Sequence, residues 1–173
     1  KCKTEKGTED QLNAAKGLNG NSIQGTFPTE SLFSAIVLEK DIIPFEADLL
    51  ICDDLNTECC DFLAADTKNK KLALLHAKAG SGFKISASAF HEVVSQAIKN
   101  LVYLSPNAEL PQGAKSWKKG SYWNKTNIER VIYSPPGSAE GEELWKNLNS
   151  GIINSSNSEL HVVLVTTGCC NRQ

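Results

Sequence analysis

The chain has 173 residues, enough for one domain that buries a core without disulfide or metal staples. Hydrophobic residues make up 40% and charged residues 22%, which excludes a disordered or collagen-like chain and fits a globular one. The net charge of −2 excludes a uniformly basic nucleic-acid binder, so any such contact has to come from a local patch such as residues 115–125, or from another part of the molecule.

Residues 1–26 are polar, rich in Lys, Glu, Asn and Gly, and are expected to form a mobile or loosely packed arm ahead of one α/β domain over 27–173. Methionine is absent and the chain starts Lys1-Cys2-Lys3, so the expectation is a piece of a longer protein. Thr29 is placed to cap a helix from Glu30 to about Lys40, with Leu32, Phe33, Ile36 and Val37 at helical spacing. The apolar run over 47–52 reads as a strand and Asp53-Asp54-Leu55-Asn56-Thr57 as a turn. Two further runs, 59–66 and 71–78, flank the polar turn Thr67-Lys68-Asn69-Lys70 and predict a hairpin. After the flexible Gly80-Ser81-Gly82, a helix over 88–104 carries its apolar face on Phe90, Val94, Ala97, Ile98 and Leu101. A basic, tryptophan-containing irregular segment spans 105–127. Then come a short strand at 130–133, a helix at 142–148 and a buried strand at 160–166. This order, with an early hairpin and late crossovers, predicts a mixed sheet with helices on both faces.

No apolar run reaches membrane-spanning length and no secretory leader is recognisable. The six cysteines form no C-x-x-C pair, no histidine spacing completes a zinc site, and Cys52, Cys59 and Cys60 lie in or beside predicted strands. They are expected to be reduced core thiols of a cytoplasmic protein.

Centring the hairpin on its turn opposes residues whose numbers sum to 137: Asp61 with His76, Leu63 with Leu74, Cys59 with Lys78. Alternation along strands then brings Asp61, His76 and Lys78 to one face at one end of the ribbon, on a face otherwise apolar (Leu63, Ala65, Leu72, Leu74). Three ionisable groups in such a place need a reason. A carboxylate beside an imidazole can hold a divalent cation, and a neighbouring ammonium can orient water or neutralise a phosphate. Asp53 and Asp54 also look like a metal pair, but adjacent strand residues face oppositely, which favours a turn role.

An acid ahead of one strand, a hairpin, then acid-x-Lys on the next resembles the core of the PD-(D/E)xK, or restriction-endonuclease-like, nuclease superfamily. Here it reads Cys59-Cys60-Asp61-Phe62-Leu63 followed by His76-Ala77-Lys78. The longer string from Cys52-Asp53-Asp54-Leu55 through Glu58 to Gln96-Ala97-Ile98-Lys99-Asn100 is similar to nuclease-type domains of bacterial defence proteins. The resemblance implies an αβββαβ core over about residues 29–133, with 160–166 as an additional strand. It implies an endonuclease that hydrolyses DNA or RNA with Mg²⁺ or Mn²⁺, fused to or served by a helicase or guide-binding protein. Carried over, Asp61 is the metal-binding acid and Lys78 the catalytic lysine. His76 stands where the family usually has Asp or Glu, which tilts preference toward Mn²⁺ or leaves a non-cutting binding or assembly module. Glu58, turned inward by a bulge at Cys59-Cys60, or Glu30 on the first helix would supply the missing carboxylate. Gln96 and Lys99, three apart on the following helix, would face the site. Lys118, Lys119 and Trp123, with Lys115, Lys125 and Trp117, interleave base and aromatic as a nucleic-acid groove does.

Overall fold

The computed structural model describes residues 2, 4–8, 11, 25–39, 41–54, 58–80 and 85–167. Five strands form one mixed sheet: β1 (Leu49–Cys52), β2 (Phe62–Asp66), β3 (Lys71–Lys78), β4 (Val131–Tyr133) and β5 (Glu159–Thr166), in the order β4-β1-β2-β3-β5. β1, β2 and β3 are an antiparallel meander, β4 pairs antiparallel with the outer side of β1, and β5 pairs parallel with β3. The helices are α1 (Leu32–Leu38), α2 (Ala87–Asn100) and α3 (Gly141–Leu148), the last continuing as one π-turn over Asn149–Ile153.

The hairpin forms where the sequence places it, in the expected register, with Leu63 opposite Leu74 and Phe62 opposite Leu75. Its turn is built by Asp66, whose carboxylate accepts the Lys68 and Asn69 amides at 3.2 and 3.0 Å, before Lys70 closes it with a φ of 57°.

Alternation along the central strands feeds two cores. Leu50, Cys52, Phe62, Ala64, Ala73, Leu75 and Ala77 point to one face and meet α1 through Phe33 and Ile36. Phe27, Phe33, Phe62 and Trp123 interlock there, edge to face except for the tilted Phe33–Trp123 pair, with ring centroids 4.9–6.0 Å apart. Leu49, Ile51, Leu63, Ala65, Leu72 and Leu74 point to the other face and meet Trp117, α3 and the π-turn. α2 packs along β3 and β5.

Several expectations need correcting. Ser31, not Thr29, caps α1, because its hydroxyl accepts the Ser34 amide at 3.1 Å; the helix starts two residues later than expected, at Leu32, and ends at Leu38. Glu30 therefore lies in the exposed turn before the helix. Cys59 lies outside β2 and does not pair with Lys78, since the ladder closes at Phe62. α2 buries Val93, Ala97 and Asn100, whereas Phe90, Ile98 and Leu101 are 45%, 63% and 48% exposed. Two apolar stripes run side by side on this helix. The one with Val93 and Ala97 faces the sheet, flanked by the Glu92–Lys78 and Asn100–Glu58 contacts. The strand parallel to β3 is β5, and the expected core strand near 130–133 sits at the opposite edge beside β1. Of the polar arm, residues 4–6 are not loose: the Thr4 and Glu5 carbonyls accept the Leu32 and Phe33 amides at 2.9 and 3.0 Å.

Candidate functional site

β1, β3 and β5 run in one direction and β2 and β4 in the other, so one edge of the sheet gathers three strand carboxyl ends and two amino ends. In open α/β sheets the carboxyl ends of parallel strands are where ligands bind. Here that edge holds Asp53 and Asp54 after β1, Asp61 before β2, Lys78 at the end of β3, Arg130 before β4 and Thr167 after β5.

Asp61 ends the β2–β3 ladder with its own side chain. Its amide donates to the Leu75 carbonyl at 3.0 Å, its carbonyl accepts the Asp53 amide at 2.9 Å, and its Oδ2 accepts the Ala77 amide at 2.8 Å. The side chain therefore replaces the backbone acceptor that the strand stops providing. Burial pushes the Asp61 carboxyl up to about 7, with the nearby charges of Asp54 and Glu5 adding to the shift against the Ala77 hydrogen bond.

The expected pairing of Asp61 with His76 does not form, because the β2–β3 ladder ends at Phe62–Leu75 and the Asp61 amide bonds to Leu75; His76 pairs with Leu164 of β5, is 2% exposed, and its Nε2 is buried with no hydrogen-bond partner among the described residues. Burial pulls its imidazole down to about 4, so it is neutral at physiological pH. Lys78, two residues on, donates to Glu92 of α2 at 2.7 Å, which holds its ammonium above the ordinary lysine range. On α2, Gln96 lies one turn from Glu92 and one turn from Asn100, whose side chain donates to the Glu58 carbonyl at 3.4 Å. Gln96 thus lies midway along the helix face tethered to Lys78 at one end and Glu58 at the other. Lys99 is exposed. Glu58 is half-buried and its Oε2 is buried without a partner, as an inward-turned acid would be.

No family model, curated protein or solved structure matches this chain.

The edge also holds groups that sequence reading left as turn or loop. Asp53 is fully buried: Oδ1 accepts the Trp117 indole at 2.7 Å, and Oδ2 accepts the Cys59 amide at 3.1 Å and the Cys59 thiol at 3.3 Å. Burial raises its carboxyl, and these donors oppose the rise. Asp54 accepts the Trp123 indole at 2.7 Å and the Lys6 ammonium at 2.9 Å. Arg130, itself buried, donates to the Cys52 and Asp54 carbonyls at 3.1 and 3.4 Å. A buried indole N–H needs an acceptor, and two carboxylates directly after a buried strand are the nearest supply; that pairing was the available signal.

Trp123 is fully buried and cannot stack on a base, which corrects its expected role; Trp117 is buried likewise. Between these two anchors the loop leaves Lys118 and Lys119 exposed, and Tyr122 is 49% exposed beside them. Cys52, Cys59 and Cys60 are buried free thiols, while Cys169 and Cys170 lie outside the described residues. His91 is exposed on α2 and lies 3.3 Å from the Ser95 hydroxyl.

Among the described residues no group of three His, Cys, Asp or Glu side chains is arranged to hold a metal ion. Asp61, His76 and Glu58 therefore do not form a ready site for Mg²⁺ or Mn²⁺. Asp61 is committed to an amide and to the neighbourhood of Lys6, and the unpartnered Nε2 of His76 and Oε2 of Glu58 do not close with it into one cage. Among the described residues no helix is long and apolar enough to cross a membrane.

Proposed function

We propose that this chain is a nuclease domain with a restriction-endonuclease-like αβββαβ core, hydrolysing phosphodiester bonds of DNA or RNA as part of a larger defence or nucleic-acid-processing protein in the cytoplasm. The observation that supports this reading is that Asp61, just before β2, and His76 and Lys78, at the end of β3, lie at the same end of the sheet, with the Asp61 carboxylate on the Ala77 amide between the other two. A core of this kind would take β5, which pairs parallel with β3, as its last strand in place of β4, with β4 and α3 inserted before it.

The roles assigned are those of the chain's own side chains. Lys78 carries a permanent positive charge, held near the edge by Glu92, and would neutralise a non-bridging phosphate oxygen as charge builds on it. Asp61, with a proton affinity near neutrality, would accept a proton from the attacking water. Gln96, on the same helix face as Glu92, would orient that water or the phosphate. Lys118, Lys119 and Tyr122 would take the nucleic-acid backbone and one base, with Lys99 as a further phosphate contact. The superfamily's Mg²⁺ or Mn²⁺ has no assembled cage among the described residues, and no step is assigned to it.

A second reading has its own support. The Asp61–Ala77 and Lys78–Glu92 hydrogen bonds are structural uses of the two central residues, as expected of a non-cutting nucleic-acid-binding or assembly module. Plasmid DNA and structured RNA incubated with the protein and MnCl₂ or MgCl₂ separate the two. Cleavage by the wild type, lost in folded Lys78→Ala and Asp61→Asn variants, supports the nuclease. Binding without cleavage in all three supports the module.

A further inference from the structure

The second apolar stripe of α2 meets no core. Phe90, Val94, Ile98 and Leu101 recur every three or four residues along one flank, and Val102 carries the stripe into the 3₁₀ turn over Leu101–Leu104. Phe90, Ile98, Leu101 and Val102 are 45%, 63%, 48% and 54% exposed, and Val94 is half-buried. By helical geometry Glu92 and Lys99 project from the side opposite this stripe, and its neighbours toward solvent are His91 and Ser95. The stripe is therefore uncharged from end to end.

The sheet edge beside α2 is apolar too. β5 is the outermost strand on this side and pairs with β3 alone among the described residues. Leu164, opposite His76 in that register, stands on the face that α2 covers and is 37% exposed. From Leu160 to Val165 the strand holds no lysine, acid or proline, the residues that guard an open edge.

The size of this surface matches a dimer contact. Phe90, Ile98, Leu101, Val102 and Leu164 together leave on the order of 400 Å² of apolar surface open. A stable interface takes about 800 Å² from each partner, a little over half of it apolar, so the patch supplies nearly the whole apolar share of one side. The stripe also complements itself. About a twofold axis midway between Val94 and Ile98, antiparallel helices set Phe90 against the partner's Val102 and Val94 against the partner's Ile98, a large side chain meeting a smaller one.

We propose that α2 and the adjoining edge of β5 form a twofold interface with a second copy of this chain, α2 packing antiparallel on its counterpart. The flank of α2 that meets Lys78 through Glu92 lies outside the contact, so the dimer and the nuclease reading stand or fall separately.

Sedimentation velocity of the full chain under reducing conditions, across a micromolar dilution series, tests it. Wild type is expected at twice the chain mass. Ile98→Glu and Val102→Glu alter exposed side chains and should melt with wild type, yet each buries two unpaired carboxylates in the contact and should weaken the dimer by about a hundredfold or more. Lys99→Glu, on the far side of the helix, should leave it unchanged. A wild type that stays monomeric throughout overturns the dimer and leaves the stripe to a different chain. A dimer that survives in both folded glutamate variants, or species that keep growing beyond two copies, overturns it as well. A dimer lost in those variants, from a wild type that cuts neither DNA nor RNA, keeps the interface and removes the nuclease.

Discussion

The Asp61 carboxylate and the Ala77 amide, 2.8 Å apart, close the β2–β3 ladder from the side-chain end. Removing that acceptor leaves a buried N–H unpaired, a loss of about 1–3 kcal/mol. Asp61→Ala should be destabilised by this amount in urea unfolding at pH 7. Asp61→Asn keeps a carbonyl acceptor and should stay within about 1 kcal/mol of wild type. Both should lose cleavage, since neither can take a proton. An Asp61→Asn protein that cuts normally would leave the residue with the structural role alone.

Lys78 and Glu92 form a half-exposed ion pair at 2.7 Å. Pairs of this kind contribute about 0–1 kcal/mol. Lys78→Ala is therefore expected to melt within a few degrees of wild type yet lose cleavage at least a hundredfold. Glu92→Gln should leave stability unchanged and alter cleavage less than tenfold. A Lys78→Ala variant with full activity would exclude the lysine from the chemistry.

His76 makes stability depend on acid in a defined direction. Its folded pKa is depressed to about 4, below the unfolded value, so the folded state binds fewer protons in that window. The neutral imidazole's full contribution is present above the unfolded pKa of about 6.5 and is lost as pH falls toward 4; a difference of that size corresponds to about 3 kcal/mol. Melting temperature measured from pH 7.5 to 4.5 should fall more steeply for wild type than for His76→Leu. Parallel curves would show that the imidazole is not held neutral by burial.

Trp117 and Asp53 form a fully buried indole–carboxylate pair. Trp117→Phe preserves much of the packing and strands Asp53 Oδ1, at a cost of about 1–3 kcal/mol. Urea denaturation followed by far-UV circular dichroism reads this directly. No change in midpoint would mean that water or another donor reaches Asp53.

The loop between the two buried tryptophans presents Lys118, Lys119 and Tyr122. Replacing both lysines by Gln should weaken binding to any duplex or single strand alike. It should also lower the slope of log affinity against log salt by about 2. An unchanged slope would place the nucleic-acid contact elsewhere.

Much of this molecule could be read from its residues. The hairpin register followed from a polar turn between two apolar runs, because a strand period of two leaves little freedom once one face is fixed. The opposition of Asp61 and His76 did not follow, because the ladder ends one pair earlier, at Phe62–Leu75, where the Asp61 side chain takes over as acceptor for Ala77. The alignment of α2 was not legible, because Phe90, Ile98 and Leu101 offered a bulkier stripe than Val93 and Ala97. The stripe of Val93 and Ala97 lies against the sheet, beside the contacts that Glu92 makes with Lys78 and Asn100 makes with Glu58. The partners of Asp53, Asp54 and Lys6 were illegible for another reason. They depend on contacts across 48 to 69 positions of chain, and local pattern carries no record of those.

β3 depends on β5 for one whole side, yet residues 79–158 lie between them. A parallel partner so far along the chain raises contact order and delays closure of the sheet, since the loop entropy is lost before the pairing returns anything. On a ribosome, the meander would emerge with Leu72, Leu74 and Leu75 beside an open backbone edge, the arrangement that recruits foreign strands. Fragments ending before Glu159 should accordingly accumulate in inclusion bodies, and refolding yield should fall with protein concentration.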